Sequence, residues 1–296
     1  MMPRSFRPLL GAVLALAASI AGVPAAAETI LFVGNSFTFG AHSPVHHMGA
    51  HRVTDLNGTG VGGVPALFKR FTEQAGLDYD VSLETEGGRS LAWHLANRRA
   101  QIDRRWDRVV LQDYSTLNPQ RPGDPAETIA SVDTLARLFT ARNPRVRLLL
   151  DSTWSRPDLT YRSGSPWSGQ GIAAMANSVR AGYDRAARSA GSAVRGVAPV
   201  GQAFTCAIRA GVADADPYDG IAYGQLPLWA WDQYHASAYG YYLEALVLFG
   251  EITGRDPRAL GRGEAAAMEL GFSPEQTAAL QGIAHEALET RGGCGR

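Results

Sequence analysis

The sequence predicts an α/β fold, with a parallel sheet carrying helices on both faces. Two observations predict it. Short β-branched or apolar runs recur at residues 29–34, 79–84, 108–112, 146–151 and 196–200. Longer segments with helical spacing of apolar residues lie between them, at 64–75, 91–103, 126–142 and 171–190. Strands separated by helical crossovers make βαβ units, and their strands run parallel. In such sheets chemistry collects where strands end at their carboxyl edge, beside a topological switch point.

The first element, Thr29-Ile30-Leu31-Phe32-Val33-Gly34, is a buried strand that closes on a glycine. Residues 39–63 follow, rich in Gly and His without a clean period, and read as a long loop. The segments 64–75, 79–84, 91–103 and 108–112 then alternate helix and strand, as do 126–142, 146–151, 171–190 and 196–200. Residues 156–170, with Pro157, Gly164, Pro166 and Gly169, read as a second long loop. Long loops in compact domains are often binding loops or lids. Beyond Ala236 the chain reads as helical. There Ser273-Pro274-Glu275-Gln276 combines a serine N-cap, a first-turn proline and a glutamine at the capping-box position.

Residues 1–27 carry Arg4 and Arg7, an apolar block from Leu9 to Val23, and Ala25-Ala26-Ala27. A basic start, a short apolar core and small residues describe a secretory leader. The block is shorter than the roughly 20 apolar residues a membrane span needs. The expectation is an exported protein, periplasmic or extracellular, with residues 28–296 forming one domain and no membrane span once the leader is removed. The chain has 28 basic and 28 acidic side chains. Losing Arg4 and Arg7 leaves a formal charge of −2, which gives no argument for a nucleic-acid or anionic-membrane partner. Cys206 and Cys294 have a disulfide as their default in an oxidising compartment, with two free thiols as the alternative.

Two constellations carry chemistry. Gly34-Asn35-Ser36-Phe37-Thr38 sets a serine directly after a buried strand. Such a turn exposes the hydroxyl and gathers backbone N–H groups around it, and the hydroxyl becomes a nucleophile once a base takes its proton. Trp231-Asp232-Gln233-Tyr234-His235 supplies that base. An aspartate three residues before a histidine can hold one ring nitrogen and leave the other for a proton.

Together these motifs resemble the SGNH hydrolases, also called GDSL-like esterases. The resemblance is to a bacterial branch with a Gly-Asn-Ser-Phe-Thr nucleophile motif, and covers residues 28 to roughly 254. It implies a three-layer α/β/α sandwich around a five-stranded parallel sheet in flavodoxin-like order. It further implies a Ser36–His235–Asp232 triad acting as a carboxylic ester hydrolase on small acyl esters, including O-acetyl groups on carbohydrates. No metal or organic cofactor is implied, and the partner is a small-molecule or saccharide ester. An O-acetyltransferase with the same triad, or an inactive carbohydrate-binding protein, are the alternatives.

The resemblance assigns the oxyanion hole to the N–H groups of Ser36 and Gly88 and to the side chain of Gln112. Gln112, in Leu111-Gln112-Asp113-Tyr114-Ser115, stands where the family has Gly-x-Asn-Asp. Trp154, Trp229 and Trp231 flank strand ends as candidate sugar-stacking faces. His42, His46, His47 and His51 have metal-like spacing, but Pro44 and Gly49 oppose a regular helix and no His-Glu-x-x-His pattern forms. They read as structural or surface histidines, and His94 as a helix side chain.

Overall fold

A computed structural model describes Met1 and residues 27–294; the leader expected over residues 1–27 falls outside them, save its two terminal residues. Among the described residues, six strands form one sheet: β1 (Glu28–Gly34), β2 (Thr54–Asp55), β3 (Tyr79–Thr85), β4 (Arg108–Leu111), β5 (Arg147–Asp151) and β6 (Val194–Ala198). Their order is β2-β3-β1-β4-β5-β6, and every pairing is parallel. Without the two-residue edge strand β2, the order is the flavodoxin-like one. The sheet therefore has six strands where five were expected. Thr54 and Asp55 are too few to show an alternating pattern, which is why they sat unseen inside a loop.

Among the described residues, ten α-helices accompany the strands: α1 (Gly63–Gln74), α2 (Leu91–Asn97), α3 (Arg99–Ile102), α4 (Ala126–Arg142), α5 (Pro157–Thr160), α6 (Ala173–Ala190), α7 (Val200–Arg209), α8 (Ala238–Thr253), α9 (Ala265–Glu269) and α10 (Pro274–Glu289). Alternation along β1 decides the layers. Ile30 and Phe32 enter one core with Phe68 and Phe71 of α1, Phe204 of α7, Leu246 of α8 and Ile283 of α10. Leu31 and Val33 enter the other core with Leu91 of α2, Val132 and Leu135 of α4, and Tyr183 of α6. Each fully buried Leu or Phe contributes roughly 1.5–3 kcal/mol, so a one-residue slip of this strand would be prohibitive.

Several boundaries differ from the sequence reading. The helix expected over 91–103 breaks at Arg98 into α2 and α3. The loop at 156–170 contains α5. The last strand begins at Val194, and Val200 already belongs to α7, because the apolar run continues unbroken through the strand-to-helix turn at Pro199. The capping box at Ser273 and Gln276 forms as read. Cys206 on α7 and Cys294 form a disulfide with a Cα–Cα separation of 5.1 Å, which ties residue 294 to the domain.

Candidate active site

β1 lies between β3 and β4, where the strand order reverses, and Ser36 is two residues beyond its carboxyl end. The turn that holds Ser36 is built by its neighbours. The Asn35 carbonyl accepts from Thr38 N and Phe39 N, both at 3.0 Å, and the Ser36 carbonyl accepts from Ala41 N at 3.1 Å. Gly34 is obligatory, because a Cβ there would come within 2.1 Å of Thr38 Oγ1 and 2.8 Å of Gln112 Oε1. Asn35 braces the turn across the sheet edge, donating to the carbonyls of Arg89 at 3.0 Å and Asp113 at 3.3 Å. Phe37 drives its ring beneath the turn and stacks on Trp154 with centroids 4.4 Å apart. Ser36 itself is 8% exposed, and neither its hydroxyl nor its N–H is engaged by any described residue.

His235 and Asp232 lie on the loop before α8. The loop closes through Ala230 N to the His235 carbonyl at 2.8 Å and Gln233 N to the Ala230 carbonyl at 3.0 Å, with Gln233 in the left-handed region at φ 57°. Asp232 Oδ1 accepts from the N–H groups of Tyr234 (3.1 Å) and His235 (3.0 Å), a local turn that aspartate favours. Its other oxygen, Oδ2, lies 2.6 Å from His235 Nδ1. His235 Nε2 is buried and has no partner among the described residues. The dyad and the serine turn touch through Phe37, whose ring lies 5.6 Å from that of His235. The Tyr241 hydroxyl on α8 is shared between the carbonyls of Ser36 (3.1 Å) and Ala41 (3.2 Å), fastening the turn to the helix that follows His235.

Electrostatics suit a neutral base. Burial pushes the His235 imidazole below its ordinary value, and the Asp232 carboxylate only partly opposes this. Burial pushes the Asp232 carboxyl up, but the hydrogen bonds from His235 and Tyr234 outweigh it and hold the acid below the usual carboxylate range.

The other expected site residues fall differently. Gly88 is exposed at φ 66°; its N–H has no partner among the described residues, and its carbonyl accepts from the Tyr114 hydroxyl at 2.6 Å. Gln112 is almost fully buried beneath the serine turn. Its Oε1 accepts from Asn35 N at 2.9 Å and Thr38 Oγ1 at 3.0 Å, while its Nε2 donates to the Asp113 carbonyl. Asn35 N can only donate, so the orientation of the amide is fixed. Gln112 thus holds the turn carrying Ser36 in place, correcting its reading as an oxyanion donor.

Two of the three tryptophans are corrected as well. Trp154 is fully buried between Phe37 and Phe204, and Trp229 is buried with its Nε1 donating to the Ser155 carbonyl at 2.9 Å. Neither can stack on a ligand. Trp231 is 77% exposed and meets His42 edge-on at 5.1 Å.

His42 is the site neighbour that sequence reasoning passed over within its histidine cluster. Its ring lies 4.8 Å from that of His235. His94 on α2 is fully buried and paired with Glu84 at the end of β3, a pairing that ties helix to sheet. A cavity of about 530 Å³ between Arg180, Arg195, Glu251 and Arg291 lies beside the amino-terminal half of β6 and contains none of these residues. The side-chain chemistry at the carboxyl edge defines the site, not that cavity.

No family model matches the sequence, and no curated protein does. Solved structures share the fold. A DUF4886 family protein from Bacteroides uniformis aligns with a TM-score of 0.62 at 19% identity, over 91% of this chain and 97% of that one. A protein from Parabacteroides merdae described as a GDSL-like lipase aligns with a TM-score of 0.52 at 16% identity, over 77% of this chain and 95% of that one. The likeness is one of fold.

Proposed function

We propose that this protein is a serine-dependent ester hydrolase acting through Ser36, His235 and Asp232. The observation that carries the reading is the Asp232–His235 hydrogen bond at 2.6 Å, which leaves Nε2 buried and unpaired while the His235 ring lies 5.6 Å from that of Phe37, the residue after Ser36. In this mechanism Ser36 Oγ attacks the acyl carbonyl carbon and its proton passes to Nε2. The oxyanion is met by the N–H groups of Ser36 and Gly88. The alcohol leaves with the proton from Nε2, and water, activated by the same nitrogen, releases the acid from the acyl-enzyme.

The favoured substrates are small acyl esters of carbohydrates, O-acetyl esters foremost. Trp231 supports this, since an exposed indole against His42, whose ring lies 4.8 Å from that of His235, offers a face for a sugar ring. Export is part of the proposal, and the Cys206–Cys294 disulfide supports an oxidising compartment. Among the described residues, no helix is long and apolar enough to cross a membrane. The test is a screen of the purified protein against aryl esters of increasing chain length and against acetylated sugars. Turnover of short acyl chains, lost in Ser36→Ala, supports the reading; no turnover of any ester opposes it.

A further inference from the structure

We propose that His42, Asp232 and His235 form a site for a divalent cation of the zinc class, and that its occupancy shuts off the proposed hydrolase. The regulatory half of this inference rests on the triad reading; the binding half does not.

The geometry points to the site in three ways. First, among the described residues these three make up the one group of three or more His, Cys, Asp and Glu side chains that offer one ligand atom each, all within 4.8 Å of one another. Zinc with nitrogen and carboxylate ligands at about 2.0–2.2 Å sets neighbouring donors about 3.3 Å apart in a tetrahedron. The observed separations bracket that value: 2.6 Å from His235 Nδ1 to Asp232 Oδ2, and 3.8 Å from His42 Nε2 to Asp232 Oδ2. The donors of His42 and His235 lie within 4.8 Å of each other, so the set closes on an ion when the half-exposed His42 side chain moves in by roughly an ångström or more.

Second, His42 is held toward Asp232 by an uncommon backbone. Its φ of 59° is left-handed, a region that few non-glycine residues adopt, and the edge of Trp231 packs against its ring. Residues in sparsely populated conformations cluster at ligand clamps and active sites. Third, the donors are two imidazoles and a carboxylate, which suit zinc, and the half-exposed His42 gives an ion a path from solvent. His46 and His47 are not an equivalent pair, because His47 Nδ1 is engaged by the Gly60 carbonyl at 3.0 Å.

Binding displaces the proton between His235 Nδ1 and Asp232 Oδ2 to solvent, and the ion takes its place. The Asp232 carboxylate then serves the ion instead of an imidazolium. An imidazole bonded to a dication at Nδ1 is a poor proton acceptor at Nε2. The base is lost while Ser36 is untouched.

The test uses Co²⁺ as a spectroscopic probe and Zn²⁺ for calorimetry and inhibition. Wild type should take up one equivalent of Co²⁺ with the intense visible absorption of four-coordinate cobalt. His42→Asn, which tolerates the left-handed backbone but lacks the imidazole, should weaken Zn²⁺ binding. The loss should be at least the roughly 10–100-fold that an outer-shell partner is worth. His46→Ala should bind as wild type. On an aryl acetate, Zn²⁺ should inhibit with the midpoint seen in calorimetry, relieved by a chelator, and His42→Asn should resist inhibition relative to its own metal-free rate. Absence of saturable Co²⁺ binding, or equal affinity in His42→Asn, overturns the site. Activation by Zn²⁺ overturns the inhibitory role. A protein that binds the metal at His42 but hydrolyses no ester keeps the site and loses the triad reading instead.

Discussion

Asn35 N donates to Gln112 Oε1 at 2.9 Å, so the residue after β4 supports the turn that presents the serine after β1. Removing that acceptor strands a buried N–H, which costs about 1–3 kcal/mol before any cavity is counted. Gln112→Ala should therefore lower the denaturant midpoint and the turnover together. Gln112→Glu keeps an acceptor for Asn35 but sets a carboxylate oxygen against the Asp113 carbonyl, and it too should be less stable than wild type. An unchanged midpoint with a rate loss of roughly 10²–10³ would return Gln112 to the oxyanion hole.

Asp232→Asn separates orientation from folding. The amide oxygen can still accept from Tyr234 N and His235 N, as Asp232 Oδ1 does, so the loop should persist. Its NH₂ would then face His235 Nδ1, forcing the proton to Nε2, where the serine proton must go. Turnover should fall by roughly 10⁴ with KM nearly unchanged. Steady-state kinetics on one aryl acetate, with circular dichroism to confirm the fold, check this.

The pH dependence follows from His235. The imidazole must be neutral to accept a proton, and burial holds its pKa below the ordinary value of about 6.5. kcat/KM for an uncharged ester should rise with pH to a plateau, with its midpoint on the acid side of that ordinary value. A midpoint above it contradicts the electrostatic account.

A second pH effect comes from the core. Asp151 at the end of β5 and Glu244 on α8 are buried together, and burial pushes both carboxyls above the usual range. Acids raised in the folded state contribute stability that is present below their unfolded pKa values of about 4, and is lost as pH rises through the folded ones. Every tenfold difference in proton affinity between the folded and unfolded chain is worth about 1.4 kcal/mol. Urea unfolding across pH should show wild type losing stability through this window, and Glu244→Gln losing less. Identical slopes would remove the pair from the account.

The sequence showed the layers, and offered the two halves of the candidate site, because each is written in local pattern. Ile30 through Val33 is an unbroken apolar run, and Asp232-x-x-His235 is complete within four residues. What it hid depends on long-range contact. Gln112 was assigned by its position after a strand, yet its amide faces Asn35, 77 residues away, and no local signal shows which way a buried side chain turns. Trp154 and Trp229 flank the site in sequence order but pack into the core, while Trp231, two residues beyond Trp229, points out. His42 looked like one of four histidines because its significance comes from Asp232, 190 residues further on. The strand at Thr54 and Asp55 exists only because β3 offers an edge to pair with.

The most direct test of the central claim is covalent labelling of the purified protein with a fluorophosphonate, followed by peptide mass spectrometry. The account predicts one adduct per chain, on the peptide that contains Ser36. Labelling and ester turnover should be lost together in Ser36→Ala, by roughly 10⁶ in kcat if the triad acts as a unit, while the unfolding midpoint stays near wild type. An adduct on another residue, or near-wild-type turnover by folded Ser36→Ala, would contradict it.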